Sequence, residues 1–359
     1  MSIEKLVLSD FRNHKKTSLT FSPGVNVIWG KNGSGKTSAL EAIHILSVGK
    51  RFRTNKIQET IKSESLQSKL VGIFVSDTIK NEISVKQNKN KNKKITINNA
   101  VVTMKEILGR NPAVILSPEE QSITSGSPKS KRKYFDRVFS VVSRQYLNNL
   151  VSYTKTLKNR NFLLKKRANK NELSPWEIKL AEFGSELWKE KNRLGQLFDQ
   201  KLKEACKNYN KGDVLVSLNH KTKEEDPSAF LSALEKNKER DRAIGYTTYG
   251  PHTDRHTVFF NNQNIRSFGS QGEHKISLVL IKIAEYELIK KETQTTPTIL
   301  LDDLFATLDF ERGDAVLELL EKNTQTIITN TDLVDIESHG INLDGTNNKS
   351  IHLVKECKN

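Results

Sequence analysis

Apolar and polar positions alternate with period two at the start of the chain. Ile3-Glu4-Lys5-Leu6-Val7-Leu8 and Thr17-Ser18-Leu19-Thr20-Phe21 read as an antiparallel strand pair, with Phe11-Arg12-Asn13-His14 as the turn between them. Val25, Val27, Ile28 and Trp29 then form a short buried run. Leu40, Ile43, Ile45 and Leu46 follow at helical spacing, which predicts a helix over Thr37 to Leu46. Strand patterns return at Leu70 to Val75, Ile83 to Val85 and Ile95 to Ile97, with the lysine-rich Lys86 to Lys94 predicted as a hairpin tip. Ala113 to Leu116 is a further strand, stopped by Ser117-Pro118.

From Pro128 to about Lys211 the period changes. Phe135, Val138, Val142, Tyr146, Leu150, Tyr153 and Leu157 fall three and four apart, and Trp176, Leu180, Phe183, Leu187 and Leu194 repeat the pattern. This predicts a helical arm inserted into a β-rich chain. Sheet character resumes at Val214 to Leu218, followed by a helix around Phe230 to Leu234 and strands at Tyr246 to Tyr249 and His256 to Phe260. A helix opening at Ser270 comes next, then a buried run Thr298 to Leu301, a helix over Glu311 to Leu320, and strands at Thr326 to Ile328 and Ile351 to Val354. The expected organisation is a head in two parts, 1–116 and 212–359, around an arm at 117–211.

The strongest chemistry lies between the strand at Val25 and the helix at Thr37. Gly30-Lys31-Asn32-Gly33-Ser34-Gly35-Lys36-Thr37 fits the phosphate-loop pattern in every position, with Ser38 next on the helix. Glycines let successive backbone N–H groups turn toward a polyphosphate, and the helix N-terminus adds a favourable dipole. Lys36 can reach the β- and γ-phosphates, and the Thr37 hydroxyl can ligate Mg²⁺. Thr298-Ile299-Leu300-Leu301-Asp302-Asp303 supplies the complementary carboxylates: Asp302 as a Mg²⁺ ligand, Asp303 to orient or deprotonate a water. Ser270-Gln271-Gly272 opens a helix and makes a second anion-binding N-terminus. A phosphate loop serves its own nucleotide, so this second site calls for another phosphate.

Charge adds a polyanionic partner. The chain carries 58 basic and 42 acidic residues, a net +16. Lys129 to Lys170 alone holds 13 basic residues against one acid, Asp136. A solvated helix ordinarily mixes signs to gain i,i+4 pairs, so a single-sign face points to a phosphate-tracking surface. Two distant cysteines, Cys206 and Cys357, suggest neither a disulfide framework nor a zinc site. With no apolar run near the roughly 18 residues of a membrane span and no signal-peptide pattern, the expectation is a cytoplasmic protein without a membrane partner.

In this order, the phosphate loop, the Ser-x-Gly helix and the paired acids resemble an α/β ABC-type P-loop ATPase head of the SMC-like branch, specifically the RecF family. Further phrases carry the resemblance: Asp10-Phe11-Arg12-Asn13, Lys50-Arg51-Phe52-Arg53-Thr54, Leu116-Ser117-Pro118-Glu119, Lys158-Asn159-Arg160-Asn161 and Tyr249-Gly250-Pro251-His252. The resemblance implies a mixed sheet with an antiparallel β subdomain and an inserted α-helical arm. It also implies an ATP- and Mg²⁺-dependent homodimer in which Ser270 and Gly272 meet the other subunit's nucleotide. Arg12 would lie near the phosphates, Ser117-Pro118-Glu119 near the metal and water, and Asp309 at the dimer seam. Implied partners are double-stranded, single-stranded and gapped or junction DNA, with RecO- and RecR-type repair proteins. Three departures stand out: Asp303 where many ABC heads carry Glu, Asn330-Thr331 where many carry a switch histidine, and Thr253-Asp254-Arg255 after Gly-Pro-His. A transport ATPase subunit and a small-molecule P-loop kinase are the competing classes; the basic arm argues against the first and the Ser-x-Gly helix against the second. A long-arm SMC protein fails on length.

Overall fold

The computed structural model describes residues 2–53, 56–76, 79–90, 92–209, 213–221, 223, 226–303, 324–333, 343 and 347–354. The expected helix at Glu311 to Leu320, Asp309 and Cys357 lie outside these residues. The chain divides into two compact units. The first is Met1–Gln121, Ala205–Val214 and Ser270–Asn359, and the second is Ser122–Glu204 and Leu215–Gly269.

The first unit holds two sheets. An antiparallel sheet of six strands runs in the order His14–Thr20, Ser2–Phe11, Gln67–Ser76, Ile79–Asn88, Lys93–Ile97, Ala100–Val101. Its first strand buries Ile3, Leu6 and Leu8, positions of different parity. A register shift between Ile3 and Lys5 lets both sets face the core.

The other sheet is entirely parallel, in the order Lys349–His352, Val25–Trp29, Thr326–Asn330, Thr298–Asp302, Ala113–Leu116. Its inner strands are covered on both faces, which is why Ile299-Leu300-Leu301 and Ile327-Ile328 read as unbroken apolar runs. Parallel strands end together. The carboxyl ends of Val25–Trp29, Thr298–Asp302 and Thr326–Asn330 therefore share one edge, where open α/β sheets bind ligands.

The helix Lys36–Val48 packs between the two sheets. Its residues Ala39, Leu40, Ala42, Ile43, Ile45 and Leu46 join one core cluster with Leu6 and Leu70 on one side and Ile28, Leu300 and Ile327 on the other. A helix covered from both sides has no polar face to show, as its sequence indicates.

The second unit contains the helices Pro128–Val142 and Arg144–Lys165 and most of Lys170–Asn208. It also takes in Leu215–Gly269, which the sequence pattern assigns to the head. The reason is pairing: Val216–Lys221, Arg255–Phe260 and Gln263–Asn264 form their own three-stranded sheet, and Phe135 of the first helix packs its ring on His220 and His256. Tyr246 to Tyr249, expected as a strand, is instead a turn leading to a 3-10 segment at Pro251–Thr253. Among the described residues, no helix is long and apolar enough to cross a membrane.

Candidate nucleotide site and basic arm

Five stretches of chain meet in a cavity of about 1060 Å³ in the first unit: the turn after the first strand, the phosphate loop with its helix start, Arg53, the stretch from Glu59 to Ser65, and Asp303 just after the Thr298–Asp302 strand. Arg12, Asn32, Gly33, Gly35, Lys36, Thr37, Ser38 and Asp303 line it. Of the sequence-expected residues, Gly30, Lys31, Ser34 and Asp302 stand directly behind this lining, while Ser270 and Gly272 are not part of it.

The loop's shape follows from its glycines. Gly30 has φ 145°, and a Cβ there would stand 2.3 Å from the Leu353 carbonyl oxygen, so the C-terminal strand seals this position against any side chain. Gly33 has φ 82° and open space where a Cβ would point. Lys36 Nζ folds over the loop and donates to the Gly30 oxygen at 2.7 Å and the Lys31 oxygen at 3.4 Å. The Ser34 hydroxyl is buried with no hydrogen-bond partner among the described residues.

Opposite the loop, Thr37 Oγ1 donates to Asp302 Oδ1 at 2.9 Å, and Thr329 Oγ1 donates to the same oxygen at 2.8 Å. Asp302 is nonetheless pushed up to about 6, chiefly by burial; the two hydroxyls oppose this, and Asp303 and Glu119 add repulsion. Burial likewise raises Asp303, with Lys36 pulling the other way. Asp303 sits at φ 47°, its N–H donates to Thr329 Oγ1 at 3.1 Å, and its Oδ1 is buried without a partner among the described residues. Asp302, Asp303 and Glu119 thus concentrate negative charge beside a threonine hydroxyl, a donor set of hard oxygens that suits Mg²⁺.

Arg12 lines the cavity, but its guanidinium is engaged within the protein. It reaches Glu41 at 2.8 and 2.7 Å and the Glu59 carbonyl at 2.9 Å. Glu41, a fully buried helix carboxylate, carries no signal in the sequence beyond its place among apolar neighbours. Thr329 likewise escapes a reading centred on Asn330 and Thr331. Asn330 turns its amide to the Asp332 carbonyl at 3.1 Å, and Thr331 is exposed. Arg53 pairs with Glu119 at 3.5 Å and borders the same cavity.

Ser270 caps the helix Gln271–Thr293. Its hydroxyl accepts from Glu273 N at 3.3 Å, and Glu273 returns a bond to Ser270 N at 2.7 Å.

These features match known proteins over nearly the whole chain. Residues 2–339 fit the family model described as the RecF/RecN/SMC N terminal domain. DNA replication and repair protein RecF of Lachnoclostridium phytofermentans is 33% identical over 96% of both chains. The chain belongs to the RecF family. RecF of Alkaliphilus oremlandii is 34% identical, over 92% of this chain and 93% of its own. A solved structure of the recombination mediator RecF with ATP in the RecFOR pathway gives TM-score 0.86 at 31% identity, over 93% of this chain and 92% of that one. The Smc head domain of Pyrococcus furiosus, 18% identical with TM-score 0.53, shares the fold. The fold is accordingly that of the RecF and SMC ATPase heads, α/β with parallel and antiparallel sheets and long helices.

Two RecF-like phrases of the second unit pin its interior. Arg160 is fully buried and donates to Asp241 at 2.7 Å, Thr247 at 2.7 Å and Glu177 at 3.0 Å. His252 Nε2 donates to the Thr247 carbonyl at 2.9 Å, so Nδ1 is the acceptor for Tyr153 OH at 2.6 Å. The basic excess is also sorted by the fold. Lys131 is buried, its pKa lowered to about 8 by desolvation and Arg266, and Arg132 donates to the Asp254 carbonyl. By contrast Lys155, Lys158, Phe162 and Lys165 share one exposed face of Arg144–Lys165, and the Lys166 ammonium lies 4.5 Å from the Phe162 ring centre.

Proposed function

We propose that this protein is an ATP-driven switch that binds DNA during repair and replication. The observation that carries the reading is the hydrogen bond between Thr37, which lines the phosphate-loop cavity, and the buried Asp302. The loop N–H groups from Lys31 to Thr37, with Lys36 and Ser38, hold the phosphates of ATP, and Gly30, Gly33 and Gly35 give the loop its shape. Thr37 and Asp302 would hold Mg²⁺, which would supply charge neutralisation to the phosphates. Asp303 Oδ1 accepts a proton from the attacking water, a role favoured by its raised pKa and by its having no partner among the described residues. Arg12 stands where it can exchange Glu41 for a phosphate oxygen.

The cavity excludes Ser270 and Gly272, so their anion-binding helix end serves a nucleotide held by a second copy. Two heads then close on two ATP molecules, and slow hydrolysis reopens them. The head contacts ATP and the arm contacts DNA, single-stranded, double-stranded or at gapped junctions, through the Lys155–Lys158–Lys165 face. RecO- and RecR-type proteins act as partners, and the setting is the cytoplasm.

Sedimentation velocity with ATP, ADP or neither tests the switch. Dimer only with ATP, abolished by Ser270→Arg while monomeric nucleotide binding survives, is the expected result. A Ser270→Arg protein that still dimerises with ATP would remove this helix from the interface.

A further inference from the structure

The turn Phe11-Arg12-Asn13-His14 sits on the phosphate loop. Arg12 lies at φ 56° and Asp10 at φ 49°, backbone that residues other than glycine seldom adopt. It is fixed there by Arg12 N donating to the Thr60 oxygen at 3.0 Å, Lys62 N to the Asp10 oxygen at 2.9 Å, and the Arg12–Glu41 pair. A turn so anchored can impose a shape on what it touches.

It touches two carbonyls of the loop. Asn13 Nδ2 donates to the Gly33 oxygen at 3.0 Å, while its Oδ1 accepts from Ser38 Oγ at 3.3 Å. His14 is 3% exposed, and its Nε2 lies 3.2 Å from the Gly35 oxygen. A carbonyl only accepts, so the Nε2 position carries the proton. Nδ1 lies 2.9 Å from the Thr17 hydroxyl, which holds the ring in this orientation.

A peptide unit is planar and trans, so its C=O and N–H point in opposite directions. Drawing the Gly33 and Gly35 oxygens toward the turn directs the N–H groups of Ser34 and Lys36 away from it, and adds to the loop's own bonds, in which Ala39 N donates to the Gly35 oxygen at 3.0 Å and Ser34 N to the Lys31 oxygen at 3.1 Å. Gly35 matches this arrangement. Its φ is 108°, and a Cβ would stand 2.3 Å from His14 Nε2 and 3.1 Å from Asn13 Nδ2. The imidazole therefore approaches the loop more closely than any residue but glycine permits.

We propose that Asn13 and His14 are positioning residues that hold the peptide planes of the phosphate loop in their nucleotide-binding orientation. This rests on the reading of the loop as an ATP site and assigns its preorganisation to the first β-turn of the chain. Preorganised donors avoid reorganisation when phosphate arrives, so removing the clamp lowers affinity.

The test is equilibrium binding of fluorescent ATP and ADP analogues to the full-length protein, with the thermal midpoint recorded alongside. Asn13→Leu keeps the approximate shape and removes the donor without adding charge; His14→Ala removes the ring; His14→Gln returns an N–H near the Nε2 position. Asn13→Leu and His14→Ala are expected to weaken ATP and ADP alike by roughly tenfold, the scale of one hydrogen bond. His14→Gln is expected to recover most of that loss. A parent that binds nucleotide while Asn13→Leu binds equally well overturns the proposal alone, whatever happens to the midpoint. Affinity that falls for His14→Ala and stays equally low for His14→Gln overturns the role of the His14 N–H. A parent that binds neither nucleotide overturns the ATP reading, and this one with it.

Discussion

Thr37 and Asp302, 265 residues apart in the chain, are joined by a hydrogen bond of 2.9 Å from hydroxyl to carboxylate. The strand Thr326–Asn330 lies between Val25–Trp29, which leads into the phosphate loop, and Thr298–Asp302, and its Thr329 donates to the same oxygen. The carboxylate is thus fixed by two hydroxyls yet remains short of positive charge. Asp302→Asn keeps the shape and removes that charge. The Mg²⁺-dependent gain in ATP affinity should fall at least tenfold, and Mg²⁺-free binding should hold or improve. Calorimetric titration with and without EDTA reads both.

On the proposed reading Asp303 serves the chemistry rather than the binding. Its backbone N–H is tied to Thr329, and its Oδ1 is buried without a partner among the described residues. Asp303→Asn should leave ATP affinity within about twofold and lower turnover by roughly a hundredfold, the usual scale of one general base. Equal turnover in single-turnover assays would assign proton transfer elsewhere.

The arm separates lysines that face solvent from lysines that do not. Lys155→Glu with Lys158→Glu should weaken DNA binding and flatten its salt dependence, by roughly one unit of slope for each phosphate the arm no longer neutralises. Lys131→Glu places a carboxylate where the native ammonium is already buried beside Arg266. Its first effect should be on thermal stability. A DNA defect for Lys131→Glu at unchanged stability would move the DNA surface to the first arm helix.

What the sequence reveals depends on how local each feature is. The phosphate loop is a backbone device written in consecutive residues, and Thr298–Asp302 announces itself because a strand covered on both faces must be apolar. Glu41, Thr329 and the Asn13–His14 clamp are not legible, since each acts through a partner distant in sequence. Lys129 to Lys170 reads as basic, but charge counting does not say which way a side chain points, and Lys131 points inward. Tyr249-Gly250-Pro251-His252 looks like punctuation between two strands. The structure makes it a buried anchor: a Cβ on Gly250 would stand 2.3 Å from Tyr153 OH. The segment 215–269 reads as part of the head because strand periodicity does not identify the sheet a strand joins.

His256 gives the second unit a pH dependence. Its Nδ1 is 2.8 Å from His220 Nδ1 and it is 3% exposed. Burial lowers its pKa to about 2, helped by Lys191, His220, Arg132 and Lys131. Unfolded, it titrates near 6.5. Between those values the unfolded chain binds a proton that the native chain refuses, so this contribution is full above about 6.5 and is lost as pH falls below it. One such group adds a slope of about 1.4 kcal/mol per pH unit. Urea midpoints from pH 7 to 5 should fall more steeply for the parent than for His256→Gln; parallel slopes would contradict the assignment.

The central claim is that ATP at the Lys36–Thr37–Asp302 site governs contact with DNA. Fluorescence anisotropy of a gapped duplex, titrated with protein under ATP, ADP and no nucleotide, tests it most directly. The account predicts tight binding with ATP alone, abolished in Lys36→Met. Equal binding in all three conditions would leave a basic ATPase head whose affinity for DNA is not switched.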